Sequence, residues 1–198
     1  MYKVGITGGI GSGKSVVCTI FETLGIPLFN ADKIAIELIE HHPTVKTQII
    51  DLFGKDVYDI DGSYNRKKVS SIVFQDSEKL AQLNAIVHPA VLNYGEEWAN
   101  AQSSPYIVKE AALFFESGSY KQMNFMIGVQ ASEEQRKERA MKRDNVSADA
   151  IQARMDKQMP DAQKMALCDA IILNDGTQSL IEQVLNIHQQ ILLNIKSK

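Results

Sequence analysis

Gly8-Gly9-Ile10-Gly11-Ser12-Gly13-Lys14-Ser15 is a glycine loop closing on a lysine and a hydroxyl, residue types that each have a task at a phosphate. It has the form G-x-x-x-x-G-K-[ST], and an apolar run over 2–7 stands directly before it. Glycines adopt positive φ and let main-chain N–H groups approach phosphate oxygens. A helix opening near Lys14 aims the positive end of its dipole at the same anion. Lys14 then reaches β- and γ-phosphates, and Ser15 offers its hydroxyl to Mg²⁺. The alternative is a glycine-rich turn with a chance lysine, for which strand before and helix after would be coincidence. The spacing predicts binding of a nucleoside triphosphate.

Other residues could handle the transferred group. Asp32 falls at the carboxyl end of the expected second strand, the sheet edge where α/β proteins hold ligands. A carboxylate there can orient the proton of an attacking hydroxyl or help hold Mg²⁺. It can equally cap the next helix, and position supports both readings. Ser132-Glu133-Glu134-Gln135 has the form of a capping box, and the helix it starts carries Arg136, Arg139 and Arg143 at spacings of three and four, on one face. Guanidinium forks suit phosphoryl oxygens during transfer. Arg154 and Gln158 follow beyond the Asp144-Asn145 break, and two helices with inward arginines describe a lid. The plainer account is a solvated basic face. Arg66 is a contact for an anionic substrate or one of a basic run with Lys67 and Lys68. His88-Pro89 reads as a boundary between helices. Glu110 and Glu116 flank a segment after a buried strand, near a metal or at a helix start. Asn174-Asp175-Gly176 is a turn by composition.

The elements needed to position these groups alternate. Strands are expected at 2–7, 27–29, 107–108, 125–129 and 170–173, with helices at 14–24, 32–40 and 177–194. Between 44 and 103 the signals are helical (45–53, 67–74, 78–86, 90–101) with a turn at Asp59-Ile60-Asp61-Gly62. The expected fold is α/β: a P-loop NTPase-type three-layer α/β/α arrangement on a parallel sheet, with a helical insertion and a helical lid. The expected division is a nucleotide-binding core over 1–43, 104–130 and 160–198, an acceptor insertion over 44–103 and a lid over 131–159.

Composition narrows the classes. Across 198 residues, 44% are apolar and 23% charged, ordinary for a soluble globular protein. A net charge of −3 argues against general nucleic-acid binding, which shows a strongly basic face. No apolar run approaches the ~20 residues that cross a bilayer. The start of the chain is strand-like and not a signal peptide. Cys18 and Cys168 form no metal motif, Cys18 reads as a buried thiol, and a cytoplasmic address is the default. Nothing in the sequence gives the oligomeric state.

Taken in order, these segments resemble the dephospho-coenzyme A kinase family nearly end to end. The resemblance is carried by Ile6 through Ser15, by Asn30-Ala31-Asp32, and by Leu83-Asn84-Ala85-Ile86-Val87-His88-Pro89. Arg139 with Arg143-Asp144, and 168–176 from Cys168 to Gly176, complete it. It implies transfer of the ATP γ-phosphoryl to the ribose 3′-hydroxyl of dephospho-CoA with Mg²⁺, the last step of coenzyme A synthesis. By that match Asp32 is the base, Lys14 and Arg139 act on the transferred group, and Arg143 meets the phosphates. Asn174 to Gly176 would meet adenine, while Arg66, His88, Pro89 and Glu110 face the acceptor. The family commonly has Asp-Ala-Asp where Asn30-Ala31-Asp32 stands, and Pro-Leu-Leu before a Phe-Glu pair where this chain has Ala111-Ala112-Leu113-Phe114-Phe115-Glu116.

Three other readings stand beside it. A kinase of a smaller acceptor would not need an insertion of about 60 residues. A guanine-nucleotide switch usually carries an Asn-Lys-x-Asp run, which is missing here. A CoA-binding module without catalysis has no use for Lys14, Ser15 and Asp32 together.

Overall fold

Strand β1 (Tyr2–Thr7) is buried from Val4 onward, the signature of a strand covered on both faces. Its neighbours are β3 (Tyr106–Glu110) and β4 (Phe125–Gln130), both parallel to it, with Ile6 level with Glu110 on one side and with Ile127 on the other. Strand β2 (Leu28–Asn30) and strand β5 (Ala170–Leu173) complete a parallel sheet in the order β2-β3-β1-β4-β5. The computed structural model describes every residue but Lys198, and its contacts form two units. One holds residues 1–29 and the chain from 102 onward; the other is Asn30–Ala101.

In the first unit, α1 (Lys14–Thr23) and α9 (Leu180–Lys196) cover one face of the sheet, where Val17, Phe21, Val184 and Ile191 meet Val4, Ile6, Ile127 and Ile172. The opposite face is glycine-lined: Cβ atoms on Gly5 and Gly128 would collide with the sulfurs of Met126 and Met165. Phe114, Phe115 and Met126 pack there with Met159 and Cys168. Helices α6 (Glu133–Asp144), α7 (Ala148–Met155) and α8 (Asp161–Ala166) lie between β4 and β5 in the chain. Asn145, with φ of 51°, breaks α6 from α7 in a conformation asparagine tolerates better than most residues.

The second unit is helical: α2 (Ala31–His41), α3 (Pro43–Phe53), α4 (Arg66–Gln75) and α5 (Ser77–Asn100), around Ile39, Val45, Ile49, Val69 and Val87. A single antiparallel bridge, Tyr58 to Tyr64, frames the turn at 59–62. The expected helix boundary at His88-Pro89 is not there, since α5 runs through Pro89. Proline removes one backbone donor and crowds the carbonyl four residues before it. Burial of Val87, Gly95 and Ala99 along the same helix keeps it continuous.

Candidate active site

The phosphate loop is built as its sequence requires. Gly13 takes φ of 94° as the N-cap of α1, with no side chain closing that helix end, so the first-turn N–H groups stay open to a ligand. Gly11, with φ of 76°, lies where a Cβ would run into the Arg136 carbonyl. Lys14 folds over the loop, its Nζ donating to the carbonyls of Gly8 at 2.9 Å and Gly9 at 3.3 Å. The Ser12 N–H donates to the Gly9 carbonyl at 3.1 Å. The Ile10 N–H donates to the side-chain carbonyl of Gln158 at 3.1 Å, so an amide oxygen occupies one of the loop's anion-binding donors.

The arginines of α6 begin on one face but end at three different partners. Arg136 is buried beside Gly9, with its Nη1 3.5 Å from the Asp161 carboxylate. Arg139 donates Nη2 to the Asn174 carbonyl at 2.9 Å, while its Nη1 is buried with no hydrogen-bond partner. Asn174 in turn donates Nδ2 to the Ser12 carbonyl at 2.8 Å, tying the 174–176 turn to the loop. Arg143 points elsewhere: its guanidinium grips the Asp144 carboxylate through two bonds of 2.7 and 3.1 Å, and Arg154 donates to the same carboxylate at 2.9 Å. These two arginines, Arg143 foremost, hold the Asp144 carboxyl below its usual range. Only half of the expected capping box forms: Ser132 Oγ accepts from the Gln135 N–H at 3.2 Å, but the Gln135 side chain donates to the Asp175 carbonyl at 3.0 Å.

Unpartnered buried polar atoms gather around this loop. They are the Ser12 and Thr7 hydroxyls, Nε of Arg136 and Nη1 of Arg139. Such groups are costly to leave unpaired, and all four can donate a hydrogen bond to an anion. Among the described residues no group of three or more His, Cys, Asp or Glu could hold a metal ion. Ser15 lies exposed in the first turn of α1, directly after Lys14.

Glu110 ends β3, beside Ile6 of β1, at the carboxyl edge of the sheet. Glu116 does not open a helix. It accepts from the Met159 N–H at 2.8 Å and sits 3.1 Å from the ammonium of Lys164, which is fully buried and also donates to the Ala112 carbonyl at 3.0 Å. Burial pushes the Glu116 carboxyl up, but the Met159 N–H and Lys164 outweigh it and hold the group below its ordinary range.

In the second unit, Asp32 is the second residue of α2 and exposed. The cap of that helix is Asn30, whose Oδ1 accepts from the Lys33 N–H at 2.9 Å, so Asp32 is left without the capping task. Arg66 opens α4 behind the Asn65 cap and is exposed. His88 is exposed on α5, and Pro89 lines a groove of about 480 Å³ with α2 and α3 residues. A second concavity of about 420 Å³ lies in the first unit at the amino ends of β2 and β3, beside Pro27 and Pro105. That is the wrong sheet edge for α/β ligand binding.

Sequence reasoning missed the Gln158 bond to the loop and the Arg136–Asp161 and Glu116–Lys164 pairs. Gln158 and Arg136 were visible as lid residues, but which of their neighbours they reach depends on contacts across tens of residues. The one available signal for the third pair was Lys164 itself, a lysine amid apolar Met165 and Ala166.

A glycine loop between β1 and α1 of a parallel sheet, with arginine-bearing helices after β4, defines a P-loop kinase. The family model described as dephospho-CoA kinase matches residues 2–179. Curated relatives named dephospho-CoA kinase include that of Bacteroides fragilis, 35% identical over 186 residues, covering 93% of this chain and 90% of the relative. Another, from Acinetobacter baylyi, is 37% identical over 193 residues, covering 97% and 99%. The solved dephospho-CoA kinase of Campylobacter jejuni superposes with a TM-score of 0.70 at 27% identity, covering 96% of each chain. The chain belongs to the dephospho-CoA kinase family, phosphotransferases of the final step of coenzyme A synthesis that use ATP.

Proposed function

We propose that this chain transfers the γ-phosphoryl of Mg-ATP to the ribose 3′-hydroxyl of dephospho-CoA, with residue roles as follows. The 8–15 loop and Lys14 hold the β- and γ-phosphates. Ser15 holds Mg²⁺, which neutralises developing charge on the phosphate oxygens when bound. Arg139 spreads charge over the transferring group, and Arg143 joins it after leaving Asp144. Asn174 to Gly176 meet the adenine. Asp32, relieved of capping by Asn30, orients the 3′-hydroxyl and accepts its proton. Arg66, His88, Pro89 and Glu110 are the acceptor contacts. The lid of 131–159 excludes water that would otherwise take the phosphoryl group.

One observation carries this reading: the buried, unpartnered Nη1 of Arg139 beside a loop whose helix end has no side-chain cap. A guanidinium left with a free donor there is matched by an anion and by little else. Both cysteines are free thiols and no helix among the described residues is long and apolar enough to cross a membrane, features that suit cytoplasmic work. The test is ADP release from Mg-ATP with dephospho-CoA, AMP, gluconate, shikimate or no acceptor, with the product weighed by mass spectrometry. Release that depends on dephospho-CoA and adds one phosphate to it is expected. Release without acceptor, or only with another one, would overturn the proposal.

A further inference from the structure

We infer that Arg136 is a further residue of the nucleotide's phosphate site and that Asp161, which balances its charge, limits the affinity of that site for a polyphosphate. The inference rests on the proposed binding of Mg-ATP at the glycine loop, not on the acceptor, and adds two residues from outside the loop motif.

Arg136 is the starting point. Its side chain is 9% exposed, and arginine is seldom buried so deeply unless it is fully paired. Here the pairing is incomplete. Nη1 stands 3.5 Å from one oxygen of Asp161, well beyond the roughly 2.7–2.9 Å of a charge-assisted bond. The buried Nε has no hydrogen-bond partner. Arg143, two turns later on the same helix, gives the contrast, with bonds of 2.7 and 3.1 Å to Asp144.

The guanidinium lies against the loop. A Cβ on Gly9 would run into Nη1, with Cζ 3.0 Å away and Asp161 Oδ1 3.2 Å away. Gly9, unlike Gly11 and Gly13, does not take a positive φ, so its backbone conformation does not call for glycine. Room for the guanidinium does. Lys14 Nζ meets the carbonyl of the same residue at 3.3 Å, so two cations converge on Gly9.

A lysine in this position of a glycine loop acts on β- and γ-phosphates, and Arg136 stands beside the residue that this lysine touches. Its fork of N–H donors suits the several oxygens of that end of a triphosphate. The chain sets two oxygens of its own here, from one short stretch. Gln158 accepts from the Ile10 N–H at 3.1 Å, and Asp161, at the start of α8, faces Arg136. The carboxylate acts in two opposed ways. It stabilises the buried Arg136, and it repels the anion that Arg136 attracts.

The two members of the pair should therefore respond with opposite sign. Calorimetric titration with Mg-ATP, and with inorganic tripolyphosphate as phosphates without a nucleoside, reads binding independently of turnover. Arg136→Gln should raise both Kd values at least ~10-fold, the loss of a hydrogen bond to a charged group. Arg136→Lys, which keeps the charge, should recover part of that loss. Asp161→Asn keeps the shape and removes the charge, so both Kd values should fall about 3–10-fold even as the melting temperature drops. An ion pair that merely braced the loop would weaken binding whichever member was changed.

If Arg136→Gln fails to fold, Asp161→Asn decides alone. An unchanged or raised Kd in Asp161→Asn overturns the inference, as does a Kd within about twofold of native in folded Arg136→Gln. No acceptor enters these titrations, so a failure to phosphorylate dephospho-CoA would sink the proposed function alone.

Discussion

The Glu116–Lys164 pair sets a stability prediction that the two single substitutions should split unequally. Lys164 is fully buried, Glu116 is 23% exposed by side chain, and 3.1 Å separates their charges. Removing one partner of a buried pair leaves the other uncompensated, at about 3–5 kcal/mol for full burial. Partial access of water to Glu116, and the Ala112 carbonyl that Lys164 keeps, reduce this to about 2–4 kcal/mol for Glu116→Ala. At about 2–4 °C per kcal/mol for a chain of this size, melting should fall by roughly 5–15 °C. Lys164→Met keeps the apolar stem and leaves Glu116 free to turn to water, so its loss should stay near ~1–2 kcal/mol. Circular-dichroism melts at pH 7.5 measure both. A fall of less than ~2 °C in Glu116→Ala, or a larger fall in Lys164→Met, would refute the reasoning. The pH dependence follows from the depressed Glu116 carboxyl. Its contribution is complete above the unfolded value of about 4.5 and is lost as pH falls through the lower folded value. The gap between native protein and Glu116→Gln should therefore be constant at neutral pH and close under acid.

Four further outcomes follow from the site. Asp32→Asn should lower kcat at least ~100-fold with an unchanged melting curve; near-normal turnover would remove Asp32 from proton transfer. Arg139→Ala should slow turnover while leaving the KM for dephospho-CoA close to native, and equal ATP affinity and turnover would leave Arg139 only the structural task of holding the Asn174 carbonyl. Gln158→Glu puts a carboxylate on the Ile10 N–H, where repulsion of a phosphate a few ångströms away is worth about 1–4 kcal/mol. The KM for ATP should rise about 10-fold or more, and a value within twofold of native would show that the loop donor is not part of the phosphate site. Burial pushes the Cys18 thiol far up and that of Cys168 up to about 11, so thiolate is scarce at pH 8. Ellman's reagent should react with neither within minutes in native buffer and with both in denaturant; rapid native labelling of Cys18 would contradict its burial.

The parts legible in the sequence were those set by local chemistry. The glycine loop, the five strands, the Asn145 break and the terminal helix each depend on a few adjacent residues, and each stands close to where pattern alone puts it. Helix ends drifted where a side chain found a better partner. Gln135 abandoned its box for the Asp175 carbonyl, and the last helix waits for Ser179 as its cap instead of starting at Thr177. Pro89 misled because its local penalty is real, yet the burial that overrides it comes from α2, α3 and α4. The arginine stripe shows the same limit. Helical spacing fixes where three Cα–Cβ bonds leave α6, but long side chains diverge over several ångströms, and Asp161, Asn174 and Asp144 decide where each guanidinium ends.

Those endpoints bear on how ATP is recognised. Lys14 holds loop carbonyls, Arg139 a turn carbonyl, Arg143 and Arg154 share Asp144, and the Ile10 N–H has Gln158. A triphosphate that takes over these donors exchanges existing hydrogen bonds for charge-assisted ones, so each gain is a difference of about 1 kcal/mol and not the full strength of a contact. The exchange is unequal. Arg143 must leave a carboxylate that a second arginine continues to hold, whereas Nη1 of Arg139 has no hydrogen bond to give up. On the proposed roles, recognition should therefore engage the free Nη1 of Arg139 before Arg143. If Arg143 serves the nucleotide as proposed, it moves last, because the several charges of a triphosphate are needed to outbid Asp144, and completion of the site then depends on the nucleotide.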